Sequence, residues 1–298
     1  MISRRDQDLS TGAPQLSPRA IVPGLHFIAT PIGAARDITL RALDILAGAD
    51  VLAAEDTRTL RHLMEIHGVP LGDRPLYAYH EHNDEAMRPR LMQALAQGRS
   101  VAYASEAGTP LVSDPGFQLS RAAIEAGHAV LAAPGASAVL CALAVSGLPS
   151  DRFLFAGFPP ATKSARATFL KDLAPVQATL ILYESPKRVN QLLEDLSQYL
   201  GQERYAAVCR ELTKRFEEVS RGTLGQLAAA FSGRAVKGEI VVLVDRAAKT
   251  QVDAGTVEDA LKMALAKMTV KDAASAVAEA YGLPRREVYQ RALKIGSE

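Results

Sequence analysis

The sequence predicts an α/β protein with a two-domain, two-sheet body and a small helical appendage. Three observations predict it. From Leu25 onward, short apolar runs alternate with longer amphipathic ones, the pattern of strand and helix in turn. Turn residues Gly147 and Pro149 interrupt that pattern midway. The 298 residues, 48% of them hydrophobic, allow one large core or two medium ones, and ordinary domain size favours two. The expected divisions are a flexible extension over 1–24, an α/β domain over 25–147, a second over 148–246, and a linker with a helix-turn-helix-like tail over 247–298.

In order, "LHFIA" reads as a strand, "TPIG" as a turn, and "RDITLRALDILAGA" as a helix with Leu40, Leu43 and Leu46 on one face. "DVLAAED" is the next strand. The same grammar returns in the strand "RSVAYAS", the helix "FQLSRAAIEAG", the strand "HAVLAAPG" and the apolar helix "ASAVLCALAVSG", which together predict a mostly parallel sheet covered on both faces. In the second half, "RFLFAGF", "ATLILYES", "RYAAVCREL", "RFEEVSRG" and "GEIVVLVD" read as strands. The helices there are "KSARATFLKDL", "PKRVNQLLEDLSQYL" and "TLGQLAAAF". Direct passage from "VCREL" into "FEEVSRG" predicts a hairpin and hence a mixed sheet. After a polar linker, "TVKDAASAVAEAYG" opens with Thr269 three residues before Asp272, a capping arrangement, and ends in Gly282. "LPRREVYQRALKI" starts with Pro284 in a first-turn position.

Charge narrows the function classes. Lys and Arg number 34 against 33 Asp and Glu, so no global field draws a polyanion and any nucleic-acid surface must be a local patch. Cys141 and Cys209 lack CxxC spacing, which predicts reduced thiols in a cytoplasmic protein and implies no metal. No apolar run is long enough to cross a bilayer, and the N-terminus lacks the apolar region of a signal peptide. Neither GxGxxG nor GxxxxGK[ST] occurs, so the usual phosphate-binding fingerprints are absent.

Four unusual segments fall at the carboxyl ends of first-half strands, where α/β sheets bind ligands. They are "TPIG" (Thr30, Pro31, Gly33), "AEDTR" (with Asp56 and Arg58), "EAGTPLVSDPG" and "PGAS" (Pro134, Gly135, Ser137). Each alone reads as an ordinary loop with Asp37, Asp56 or Ser137 as a cap; four on one edge predict a binding site. Candidate ligand contacts are Thr30, Pro31, Gly33, Ser105, Glu106, Ala107, Gly108, Thr109, Asp114, Pro115, Gly116, Pro134, Gly135 and Ser137, where glycine lets main chain approach a bound molecule closely. Gly33, Gly108, Gly116 and Gly135 are expected to line one crevice.

These segments, with "YHEHN", "GLPSDRFLFAGF", "YESPKR" and "RELTKRFEEVSRGT", resemble in order the landmarks of the tetrapyrrole methylase superfamily, in its ribosomal-RNA branch. The resemblance runs almost continuously from Leu25 to Asp245. It implies S-adenosylmethionine as methyl donor, bound in the cleft between two α/β domains, transfer to the ribose 2′-oxygen of a cytidine in the decoding region of 16S rRNA, and a homodimer. The sequence departs from the family pattern at Ala34, Glu106, Ala136 and Lys187, where Asn, Asp, Pro and His are usual. A small-molecule methyltransferase and an inactive RNA-binding assembly factor stand as alternatives.

For catalysis, the charged residues following second-half strands are the candidates: Glu184, Arg210, Glu211 and Lys214. They either orient the ribose and accept its proton, Glu184 or Glu211 being the acceptor, or form an ion-pair network tying the domains together. His80 and His82 read as a polar loop near an RNA entrance rather than a metal pair. Lys163, Arg166, Lys187 and Arg188, with Arg285, Arg286, Arg291 and Lys294 in the tail, offer local charge for phosphate contacts.

Overall fold

A computed structural model describes residues 21–112, 116–247, 254–281 and 283–295. They fall into two units, one ending at Ala247 and one beyond it. The first unit begins with β1 (Gly24–Ile28), α1 (Leu40–Gly48), β2 (Val51–Ala54), α2 (Thr57–Ile66), β3 (Leu76–Ala78), α3 (Asp84–Ala96), β4 (Ser100–Ala104), α4 (Phe117–Glu125), β5 (Val130–Ala133) and α5 (Ala138–Ser146). It continues with β6 (Phe153–Gly157), α6 (Lys163–Leu173), β7 (Thr179–Glu184), α7 (Val189–Leu200), β8 (Tyr205–Arg210), β9 (Glu218–Thr223), α8 (Leu224–Phe231) and β10 (Ile240–Val244).

The first five strands form one parallel sheet in the order β3-β2-β4-β1-β5. Connections leaving β1 and β2 run toward one edge, and those leaving β3 and β4 run toward the other. With right-handed crossovers this puts α1 and α2 on one face and α3 and α4 on the other. The cores agree: Leu43, Leu46, Leu60 and Met64 pack on Ile28, Leu52 and Ala104, whereas Leu91, Leu95, Leu119 and Ala123 pack on Leu25, Val101 and Tyr103. The parallel sheet expected from the sequence is thus present. The sequence reading passed over α2, β3 and α3; β3 is only three residues long and half-buried, and α3 carries Pro89 within it.

The second sheet has the order β6-β7-β10-β8-β9. β6 and β7 are parallel and the remaining pairs antiparallel, with the expected hairpin joining β8 to β9. Alternation along each strand serves two faces. Leu180, Leu182, Val208 and Val242 meet α6, α7 and α8, while Ile181, Ala207, Cys209, Val241 and Leu243 meet Val139, Ala142 and Leu143 of α5. The apolar helix that follows the first sheet therefore covers the second one.

The second unit comprises α9 (Ala254–Leu265), α10 (Val270–Tyr281) and α11 (Arg285–Ile295) around Val257, Leu261, Ala274, Val277 and Val288. Thr269 caps α10: its Oγ1 donates to Asp272 Oδ2 at 2.7 Å and accepts from Asp272 N at 3.3 Å, as expected. Pro284 stands just ahead of α11, its carbonyl accepting from Glu287 N at 2.9 Å. Gly282 lies outside the described residues.

Candidate ligand cleft

The connections from adjacent strands β1 and β4 leave in opposite directions, so the two loops diverge and open a crevice beyond the sheet. Its floor is stitched. Thr30 N donates to Gly108 O at 2.9 Å, Gly108 N donates to Thr30 O at 3.0 Å, and Thr30 Oγ1 donates to Ser105 O at 3.2 Å. Gly108 makes this approach at φ 87°, a conformation that favours glycine. Thr109 Oγ1 then ties the β4 loop to the β5 loop by donating to Ala136 O at 2.9 Å.

Above this floor lies a cleft of about 360 Å³. One wall is Ile32, Ala107, Gly108, Thr109, Ser137 and Ala138 from the first sheet's loops. The other is the end of the second sheet at the edge of its contact with α5, with Tyr183, Glu184, Cys209, Leu212, Gly238 and Val241. A mostly apolar pocket of this size with a few polar groups suits a small organic ligand.

Of the sequence candidates, Ala107, Gly108, Thr109, Ser137 and Glu184 line the cleft. Thr30 and Ser105 hold its floor without lining it, and Glu106 N donates to Glu55 Oε2 at 3.4 Å. Gly33, Gly116 and Gly135 are packed against protein. A Cβ on Gly33 would stand 2.5 Å from Lys214 Cγ and 2.6 Å from Thr213 Oγ1, one on Gly135 would stand 2.8 Å from Ala29 Cβ, and one on Gly116 would crowd Phe27, Tyr103 and Leu111. Pro31 and Pro134 do not line it either; Pro134 O accepts from Thr39 Oγ1 at 3.4 Å. Asp114 and Pro115 lie outside the described residues.

Glu184 ends β7 with its side chain 1% exposed. Its Oε1 accepts from Ser185 N at 2.8 Å; Oε2 lies 3.1 Å from Arg188 Nη2 but has no aligned hydrogen bond. Arg210, Glu211 and Lys214 stand beside the cleft in ion pairs. Glu211 Oε1 accepts from Lys214 Nζ and from Glu239 N, each at 3.0 Å, and the Glu239 hydrogen bond, with help from Lys214, holds the carboxyl below its ordinary range. Burial opposes the charge on Lys214, yet its bonds to Glu211 and Glu239 prevail and raise its pKa. Arg210 Nε pairs with Glu218 at 3.1 Å. Glu211 and Thr213 are left-handed at φ 52° and 63°, a strain held by Glu211 N donating to Glu239 O and Thr213 N donating to Glu217 Oε2. Thr213 Oγ1 accepts from Ala34 N at 3.1 Å, so this loop also clamps the β1 loop.

Other candidates do not line the cleft. Asp56 caps α2 and pairs with Arg58, whose side-chain hydrogen bond pulls the Asp56 pKa down to about 2. The rings of His80 and His82 meet edge-on at 6.0 Å, and no group of three metal-ligating side chains gathers among the described residues. Arg166 is a correction: it is buried and paired with Asp195 at 2.6 Å, so it does not meet a phosphate. Arg188 donates to Pro159 O and Pro160 O, whereas Lys187 is exposed. Sequence reasoning missed Ile32, Val112, Phe158, Tyr183, Leu212 and Gly238 as lining residues. Most are apolar and look like ordinary strand or turn positions; Ile32, Val112, Tyr183 and Leu212 fall inside "TPIG", "EAGTPLVSDPG", "YES" and "REL", while Phe158 and Gly238 only bound the strands "RFLFAGF" and "GEIVVLVD".

Comparison with known proteins agrees with this fold. The sequence profile of the tetrapyrrole (corrin/porphyrin) methylases matches residues 24–228, and that of an RsmI C-terminal HTH domain matches residues 251–296. A ribosomal RNA small subunit methyltransferase I from Mesorhizobium japonicum is 46% identical over 95% of this chain and 96% of its own length. Proteins of that name from Xylella fastidiosa and Mycobacterium tuberculosis are 45% and 42% identical, over 90% and 91% of this chain and 98% and 94% of theirs. Among solved structures, a cobalt precorrin-4 methyltransferase superposes with a TM-score of 0.57 at 19% identity, over 77% of this chain and 98% of that one. Diphthine synthase does so at 0.57 and 17% identity, over 74% and 89%. At such identities these two speak for the fold alone.

Proposed function

The chain belongs to the tetrapyrrole (corrin/porphyrin) methylases, in the branch of relatives named ribosomal RNA small subunit methyltransferase I, and from that premise we propose that it methylates small-subunit ribosomal RNA. The finer reading is transfer from S-adenosylmethionine to the ribose 2′-oxygen of a cytidine in the decoding region, by a cytoplasmic homodimer. The observation that carries it is the cleft itself: a stitched switch-point crevice facing a buried carboxylate.

The residues present fit the donor. The apolar wall of Ile32, Val112, Ala138, Leu212 and Val241 suits the methylenes beside its sulfonium and its base. Ser137, the N-cap of α5, makes no cap hydrogen bond, so the helix N-terminus it begins offers N–H groups to a carboxylate. When bound, the donor supplies an electrophilic methyl group. This chain's task is then alignment and proton removal. Glu184 is our acceptor for the hydroxyl proton, because it lines the cleft and one of its oxygens lacks an aligned hydrogen bond. Arg210, Glu211 and Lys214 shape the rim: the Glu211 carboxylate fixes Glu239, and the Lys214 stem packs on Gly33.

The test is transfer of labelled methyl from S-adenosylmethionine to small subunits isolated from cells lacking the protein, followed by mapping. A new 2′-O-methylcytidine supports the proposal. Label on a base, or none in the RNA alongside turnover of a tetrapyrrole precursor, overturns it.

A further inference from the structure

We propose that Phe158, backed by Tyr183, is the platform on which the base of the target nucleotide stacks. The inference rests on the reading above that the substrate is RNA. Aromatic residues make up only 5% of the sequence, with no Trp, yet two of them line one wall of the cleft and a third packs against that pair. Phe155 and Phe158 meet the Tyr183 ring at centroid distances of 4.8 and 5.5 Å, both edge-to-face. Phe155 belongs to the shared core under α5, whereas Phe158 lines the cleft and is 58% exposed. A large ring left in water beside a ligand cleft gains by being covered when the ligand arrives.

The arm that carries the ring is unusually well held. Phe158 is followed by Pro159 and Pro160, whose fixed φ angles stiffen the chain. Arg188 Nη2 donates to Pro159 O at 2.7 Å and to Pro160 O at 3.1 Å. Arg166 Nη1 donates to Pro160 O at 3.3 Å and to Ala161 O at 3.0 Å. Each guanidinium is in turn paired with a buried carboxylate, Glu184 or Asp195. Two ion pairs, one fully buried and one between a half-buried guanidinium and a buried carboxylate, thus fix a short loop whose conspicuous exposed product is one aromatic ring.

Position selects the occupant. Most residues proposed to hold the methyl donor, Ile32, Val112, Ser137 and Ala138, come from the first sheet's loops and α5, whereas Phe158 projects from the second sheet. Tyr183 and Glu184 both line the cleft, so the platform and the proton acceptor share one cavity. An enzyme acting on one nucleotide of folded RNA must splay it out of its stack, and aromatic faces receive such bases. A base seated here brings its own ribose toward Glu184.

The test compares Phe158→Ala, Phe158→Leu and Phe158→Tyr with the unaltered full chain. Expected for Phe158→Ala is a fall of about 5- to 150-fold in kcat/KM for isolated small subunits, with the calorimetric Kd for S-adenosylmethionine held within about twofold. Phe158→Tyr restores activity and Phe158→Leu does not. Wild-type activity in Phe158→Leu reduces the ring to apolar packing and overturns the proposal. So does a loss expressed only in the donor Kd, which would place the donor's own base on the ring. If the unaltered protein binds donor but methylates no RNA, the functional reading fails by itself. The platform is then judged by fluorescence anisotropy of a labelled oligocytidine, where equal binding by wild type and Phe158→Ala overturns it.

Discussion

Replacing Arg166 with Met while leaving Asp195 in place isolates a carboxylate in the core between α6 and α7. Both side chains are more than nine-tenths buried, and the Nε–Oδ2 distance is 2.6 Å. Breaking a buried pair from one side typically costs about 3–5 kcal/mol, because the surviving charge keeps its desolvation penalty. Asp195 Oδ1 still accepts from Gln191 Nε2 at 3.2 Å, and Pro160 O still accepts from Arg188, so the lower half of that range applies, about 3–4 kcal/mol. Replacing both, as Arg166→Met with Asp195→Leu, removes the stranded charge and restores stability to within about 1.5 kcal/mol of wild type. Urea unfolding at pH 7 followed by circular dichroism measures all three proteins. The reasoning is refuted if Arg166→Met lies within about 1 kcal/mol of wild type, or if the double variant is no more stable than the single one.

Other outcomes follow from the same geometry. Glu184→Gln keeps the bond to Ser185 N but cannot take up a proton, so kcat should fall about 100- to 10,000-fold with donor affinity retained; turnover within about tenfold of wild type removes Glu184 as acceptor. Gly238→Ala drives a Cβ into the Glu211 side chain at φ 91°, and should cost about 1–3 kcal/mol and weaken donor binding, both measurable by calorimetry. Glu218 is lowered from 4.5 to about 2, first by its hydrogen bond to Arg234 and then by Arg210. A depressed carboxyl stabilises the fold above pH 4.5 and loses that contribution as pH falls toward about 2. The urea midpoint of wild type should therefore drop more steeply than that of Glu218→Gln across that interval.

The first sheet was legible because buried parallel strands such as "SVAYA" are continuous apolar runs followed by loops rich in Gly and Pro. β3 was not: three half-buried residues carry no period. The switch-point loops were legible as binding elements, yet three of the four glycines assigned there are explained by their neighbours. Gly33, Gly116 and Gly135 are small because Lys214, Phe27 and Ala29 press on them. Nothing in one chain segment reveals such tertiary crowding. The same holds for Arg166, whose charge suggested a phosphate contact until α7 brought Asp195 against it. Phe158 was hidden for the opposite reason, since an apolar residue at a strand end ordinarily enters the core.

Helix α5 follows the first sheet in sequence but buries Val139, Ala142 and Leu143 against the second. Arg221 of β9 reinforces the join by donating through Nε to Val145 O at 3.0 Å. Cutting the polypeptide after Gly147 would strip Ile181, Ala207 and Leu243 of their cover and leave an adhesive sheet surface on one fragment and an unsheltered helix on the other. Chimeras that swap one half between relatives should therefore carry α5 together with the strands it roofs, since neither portion is a self-sufficient cassette.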